Sequence, residues 1–167
     1  MARRDSGDSD GRRRHCAEMT TRLAAHSLSS TDDSFERCMA PSFLSPRELG
    51  QMMESRPSSV QLVDCRSFLN YNSDRITGSV NIFCPPLVKK RFCNSVLPLN
   101  TMLSAETRAT LCRSVVDVVV MYDDDTDEES WQSRKCDLQL VMDSLMLFLQ
   151  PGRVTFYVLA GKEKAVH

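Results

Sequence analysis

Three groupings in this 167-residue chain have residue types and spacings worth testing against known chemistry. His15-Cys16 is followed, after five residues, by Arg22. A thiolate can attack phosphorus while an arginine clamps the phosphoryl oxygens, provided a glycine-bearing loop turns its N–H groups inward behind a buried strand. Here Arg12-Arg13-Arg14 precedes the pair and no glycine lies between Cys16 and Arg22, so the spacing is read as coincidence in a tail. The second grouping is Asp64-Cys65-Arg66. A cysteine so placed at a strand end reads as a small buried thiol, and its charged neighbours as partners of each other or of the backbone. No catalytic residue is assigned to either grouping.

The third grouping carries binding chemistry. Lys89, Lys90 and Arg91 are consecutive, and Leu97-Pro98-Leu99 follows five residues later. Cations steer and pair with an acidic surface, and two spaced leucines fill an apolar groove beside it. The plain alternative is a solvated basic turn, with Leu97 and Leu99 leading into the core. A second basic run, Arg12 to Arg14 ahead of Leu23, has poorer spacing for the same job.

The overall composition narrows the classes. The net charge is -1, yet Arg3, Arg4 and Arg12 to Arg14 make one end basic while Asp123 to Glu129 is almost wholly acidic. The cations are local and no basic stripe alternates with aromatics, so nucleic acid is not the expected partner. Seven cysteines, none in Cys-x-x-Cys spacing, and three scattered histidines offer no zinc pattern; neither a metal nor a cofactor is expected. The odd cysteine count and the polar N-terminus fit reduced thiols in the cytoplasm, the nucleus or both. The longest apolar run, Val115 to Tyr122, is too short to span a bilayer, so no membrane partner is expected.

These groupings need a scaffold. Residues 1–41 are polar and Ser-rich and are expected to be disordered. Ser45-Pro46-Arg47-Glu48 has the cap, the N1 proline and the reciprocal glutamate of a helix start, and the helix is expected to end near Glu54. Val60 to Val63 and Val80 to Ile82 read as strands, with a helical turn at Phe68 to Tyr71 and a turn at Ile76 to Ser79 between them. Pro85-Pro86 is read as a break that leaves the basic cluster in a loop. Ala105 to Cys112 reads as a helix, and β-branched Val115 to Tyr122 as a central parallel strand. Asp123 to Glu129 reads as a solvated loop, although the acids after Thr126 would suit an acid-directed kinase. Apolar residues at 138, 141, 142, 145, 148 and 149 mark a helix over Cys136 to Leu149. Val154 to Leu159 is the last strand. Strands alternating with helices predict an α/β fold, a mostly parallel sheet with helices on both faces.

With these elements in place, the chain resembles a known family. Leu62-Val63-Asp64-Cys65-Arg66-Ser67-Phe68, Tyr71-Asn72, Ile76-x-Gly78-Ser79-Val80-Asn81-Ile82 and Val118 to Asp123 resemble the rhodanese-like domain of the MAP kinase phosphatases. These dual-specificity phosphatases carry that domain N-terminal to the catalytic one. The resemblance implies a rhodanese-like domain over 43–161, incomplete at its C-terminal side, with 162–167 a tail outside the family pattern. It places Leu87 to Phe92 at the family's kinase-interaction motif, which implies a kinase-binding set of Lys89, Lys90, Arg91, Leu97 and Leu99. The implied partner is a MAP kinase of the ERK, JNK or p38 class, met through its acidic docking patch. The implied function is non-catalytic docking and negative regulation of MAPK signalling.

The family departs from this chain at two points. The family pattern continues past the strand ending at Leu159 with a Gly-Gly-aromatic loop, whereas this chain reads Ala160-Gly161-Lys162. No phosphatase domain is read after it, so the chain is expected to be a truncated product: an isoform from an alternative transcript, a mispredicted gene model or a fragment. A sulfurtransferase would need a cysteine in the loop after Leu159, and none is there. Sulfurtransferase or cysteine phosphatase activity through Cys16 or Cys65 is the alternative reading.

Overall fold

The computed structural model describes residues 41–92, 95–132, 137–149 and 152–160. The tail expected over 1–41 lies outside the described residues apart from Pro41, and so do Cys16, Cys136 and 162–167. Five strands, β1 (Ser42–Leu44), β2 (Val60–Asp64), β3 (Val80–Asn81), β4 (Val118–Tyr122) and β5 (Thr155–Leu159), form one sheet in the order β1-β5-β4-β2-β3. Every pairing is parallel: β2 meets β4 from Val60 opposite Val118 to Asp64 opposite Tyr122, and β4 meets β5 from Val118 opposite Thr155. The expected α/β architecture with a mostly parallel sheet is therefore observed.

A parallel sheet needs cover on both faces, because its crossovers are helices. Alternation along the strands sorts the core into two clusters. Leu62, Val118, Val120 and Tyr122 point to the face covered by α1 (Pro46–Ser55), where Leu49 is buried and Met52 and Met53 are partly so. Val63, Val119, Met121 and Val158 point to the other face. α2 (Phe68–Ser73) lies between β2 and β3 and adds no buried residue to that face. The main cover of that face comes from later elements: α3 (Pro86–Phe92), α4 (Leu99–Met102), α5 (Ala105–Leu111), α6 (Glu128–Gln132) and α7 (Asp137–Phe148). The stripe on α7 is buried at Leu138, Val141, Met142 and Leu145, and Leu149 just beyond it is buried too. Burying one such side chain contributes roughly 1.5–3 kcal/mol.

Local chemistry starts and stops these elements as the sequence suggests. Ser45 caps α1 and Glu48 reaches back to the Ser45 N–H at 2.8 Å, completing a reciprocal box with Pro46 at the first helical position. These hydrogen bonds hold the Glu48 carboxyl below its ordinary range, the bond from the Ser45 backbone contributing most. Gly78, at φ 84°, makes the turn before β3, a conformation costly for a side chain with a Cβ.

Four readings change. First, the basic cluster is not in a loop: residues 86 to 92 form α3. Pro86 lacks only an N–H that a helix start leaves unpaired anyway, and Val88 and Phe92, one turn apart, pack on the core. Second, β4 starts at Val118, not Val115. Residues 113 to 116 close a turn, with the Val116 N–H on the Arg113 carbonyl, and Val115 is exposed. Third, the acidic loop is shorter than expected, because Glu128 already belongs to α6. Fourth, β1 is an edge strand that sequence reading missed; it pairs with β5 from Ser42 opposite Tyr157 to Leu44 opposite Leu159.

Candidate functional site

Connections from β2 run toward β3, and those from β4 run toward β5, so the chain reverses direction between β2 and β4. In open α/β sheets the crevice beyond the strand C-termini at such a reversal is the usual ligand position. Here it is an open cleft of about 390 Å³ lined by Cys65, Arg66, Asn70, Asp124, Thr126 and Asp137 among others.

Its polar groups are engaged with one another. Asp64 is fully buried at the end of β2 and accepts three kinds of donor from Arg66: the backbone N–H at 2.9 Å, Nε at 3.1 Å and Nη2 at 2.8 Å. Arg66 also donates to the Asp74 carbonyl at the end of α2 and lies 3.5 Å from Asp124. Its guanidinium sits 5.5 Å from the centre of the Tyr122 ring. These contacts, led by the Asp64 hydrogen bonds, push the Arg66 pKa up.

The rest of the resemblance motif closes the same network. The Asn81 side-chain amide donates to the carbonyls of Asp64 and Arg66, both at 2.9 Å. Tyr71 donates its hydroxyl to the Ser79 carbonyl at 2.8 Å. The Tyr122 hydroxyl donates to Ser79 Oγ and accepts from the Ile76 N–H, both at 3.2 Å. Burial nevertheless pushes the Tyr122 phenol up. Asp64 and Arg66 thus pair with each other and with backbone, as read from sequence, and anchor the segments leaving β2 and β4.

The acidic loop is ordered by the same device. Asp123 accepts from the Asp125 N–H at 3.1 Å, the Thr126 N–H at 2.7 Å and the Thr126 hydroxyl at 2.6 Å. Thr126 is only 3% exposed, so the acid-directed phosphorylation signal falls on a buried hydroxyl. Cys65 is buried beneath the end of β2, and Cys84 is buried just before α3. Burial raises the Cys84 thiol, the nearby Asp137 adds to the rise, and Lys89 opposes it. A protonated, enclosed thiol is a poor nucleophile. Among the described residues no three His, Cys, Asp or Glu side chains are grouped to hold a metal ion, and no helix is long and apolar enough to cross a membrane.

The five residues expected to bind a partner do not share one surface. Lys90 and Arg91 are exposed on α3. Lys89 is half-exposed and forms an ion pair with Asp137 at the start of α7. Leu97 and Leu99 are 3% and 2% exposed. Both sit in the core cluster beneath the sheet, and the Leu97 N–H donates to the buried Ser144 hydroxyl at 2.9 Å. They are core residues leading into α4 and present no groove-filling pair. Two features escaped the sequence reading. One is the Lys89–Asp137 pair, whose partners lie 48 residues apart with no local signal. The other is Leu87, 83% exposed, which the helical spacing Leu87, Lys90, Arg91 would have placed beside the cations.

Comparison with known proteins adds the family. Residues 45–156 match the family described as Rhodanese-like domain. Dual specificity protein phosphatase 8 from Mus musculus is 28% identical over 99 residues, covering 59% of this chain and 15% of the relative. Dual specificity protein phosphatase 4 from Homo sapiens is 34% identical over 86 residues, covering 50% and 22%. Dual specificity protein phosphatase 1-A from Xenopus laevis is 27% identical over 116 residues, covering 65% and 31%. The chain therefore spans less than a third of the length of these relatives. A solved protein of unknown function from Rhodopseudomonas palustris aligns over 98% of this chain and 93% of its own at 13% identity, with a TM-score of 0.42, too distant to carry an argument.

Proposed function

The chain belongs to the rhodanese-like domain family, and from that premise we propose that it is a non-catalytic docking module for a MAP kinase. The module spans residues 43–161 and acts in the cytoplasm or nucleus. The observation that carries this reading is α3: it holds three consecutive cations on a short helix, two of them exposed, in a relative of dual-specificity phosphatases. In the parent enzymes this domain would present the kinase to the phosphatase domain, giving negative regulation of MAPK signalling. This chain supplies the presenting surface.

The electrostatics suit the role. Exposed lysine and arginine gain little from pairing in water, but they raise encounter rates with an acidic patch and set orientation. Lys89 enters the contact already paired with Asp137. A partner carboxylate must displace Asp137 or share the ammonium with it. Leu97 and Leu99 support the helix from within and take no part in contact.

The test is binding of the 167-residue chain to purified kinases of the ERK, JNK and p38 classes at low salt, read by fluorescence anisotropy. Changing Lys90 or Arg91 to Ala weakens binding by roughly 1 kcal/mol each and flattens its salt dependence, as expected for exposed charge pairs. Lys89→Ala costs less than Arg91→Ala, since Asp137 is released with it. Affinity unchanged in all three variants overturns the docking reading.

A further inference from the structure

We propose that Arg56, Arg113 and Arg153 form a receptor for a phosphorylated protein segment at the N-terminal end of the central strands, a surface separate from α3. Strands β5, β4 and β2 are neighbours in the sheet, and Val118 stands opposite both Val60 and Thr155. The segments that enter these strands therefore emerge side by side, separated by interstrand spacings of about 5 Å each. Residues 56–59, 113–117 and 152–154 make up those segments, and they contain three arginines and one acid, Asp117. All three arginines are exposed. The cleft lined by Asp137, the partner of Lys89, lies beyond the opposite ends of the same strands.

Each arginine stands after a helix, α1, α5 or α7, where the negative end of the helix dipole favours a cation. That explains why cations occur here, and not how these are held. Arg153 donates from Nη2 to the Arg113 carbonyl at 2.7 Å and to the Val116 carbonyl at 3.4 Å. Its guanidinium is fixed against the loop that carries Arg113, and Nε and Nη1 still hold N–H donors for a ligand. Arg56 lies 3.9 Å from Asp117 of that loop, a long pair with both side chains about half-exposed. Gathering like charges costs free energy that a bound anion relieves.

Charge and geometry define the occupant. Three cations less one carboxylate leave a net charge of +2, and a phosphoryl group on a side chain carries about -1.5 to -2 at neutral pH. Guanidinium forks bind phosphate oxygens in pairs, as a lysine ammonium does not, and every cation here is an arginine. Ser58 and Ser114 are exposed and add hydroxyl donors. Val115, 48% exposed, offers apolar contact to the residue beside the phosphate. The three segments contain no aromatic residue, so a nucleic-acid strand would find nothing to stack on.

The probe is a fluorescein-labelled heptapeptide with a central phosphothreonine followed by valine, compared with its unphosphorylated twin in anisotropy titrations of the full chain. The phosphopeptide is expected to bind at least tenfold more tightly. R56A and R113A each weaken it about fivefold, the upper range for one exposed charge pair, and flatten its salt dependence. R153K keeps the charge, loses the fork and also weakens binding. R75A, which removes a cation stacked on Tyr71 outside these segments, leaves binding as it was. Thermal midpoints equal to that of the parent chain show that the variants are folded. Equal binding of the two peptides overturns the proposal, and so does unchanged affinity in both R56A and R113A. Binding to vesicles containing a phosphoinositide, with none to the phosphopeptide, makes the ligand a lipid headgroup and overturns it as well.

Discussion

The Asp64–Arg66 network and helix α3 are both charged, and they differ in where the charges point. Arg66 directs its donors to the buried Asp64 and to Asp74 and Asp124 of the same chain, with only 13% of its side chain exposed. Lys90 and Arg91 are turned outward on a helix whose opposite side is held by Val88, Phe92 and Lys89. The difference separates two uses of an arginine. One closes a fold by satisfying a buried carboxylate, and the other leaves charge at the protein surface. The motif that most resembles an active site, Asp-Cys-Arg at a strand end, belongs to the first kind.

The largest break in that comparison comes from the inward charge. Asp64→Ala leaves Arg66 in its partly buried place without its main partner and is expected to cost about 3–5 kcal/mol, measured by urea denaturation. Kinase affinity of the fraction that remains folded should match the parent chain. A loss of affinity at full folding would show that the network shapes the docking face directly. Leu97→Ala comes next, at about 2–5 kcal/mol for a buried leucine, with affinity again unchanged once folding is complete. Weaker binding by a fully folded L97A would return Leu97 to the docking set.

The smallest effect is one of pH, and it sharpens the contrast because it acts on buried groups alone. The Tyr122 phenol is raised by burial, against its hydrogen bonds to Ser79 and Ile76, and the Cys84 thiol is also raised by burial. A group whose folded pKa lies above its unfolded value holds its proton more tightly when folded. Its contribution is fully present below the unfolded value, about 10 for tyrosine and 8.5 for cysteine, and is lost as pH rises through the folded value. Stability should therefore decline above about pH 9. Thermal melts between neutral and alkaline pH test this, and Cys84→Ala should flatten the earlier part of the decline. A flat profile in the parent chain would contradict the burial argument.

Much of the scaffold was legible because its signals are local. The Ser45 to Glu48 box, the α7 stripe and the β-branched run of β4 each declare themselves within one segment. The failures have physical causes. Strand β1 has three residues and exists by pairing with β5, more than a hundred positions away. Pro85-Pro86 looked like a break, yet a proline at a helix start obeys the same rule that made Pro46 convincing. Leu97 and Leu99 have a spacing that suits a groove and a core equally, and only the Ser144 hydroxyl and the packed sheet decide between them. The pairing of Asp64 with Arg66 was readable from their separation of two residues; that of Lys89 with Asp137 was not.

The two edges of the sheet are its shortest strands, three residues in β1 and two in β3. An edge strand displays unpaired N–H and C=O groups that can template another chain, and the hazard grows with its length and flatness. The long, apolar strands β2, β4 and β5 are enclosed between those stubs. Among the described residues this sheet offers another chain only two or three residues of backbone on either side to extend it, so crowding should produce few edge-to-edge assemblies.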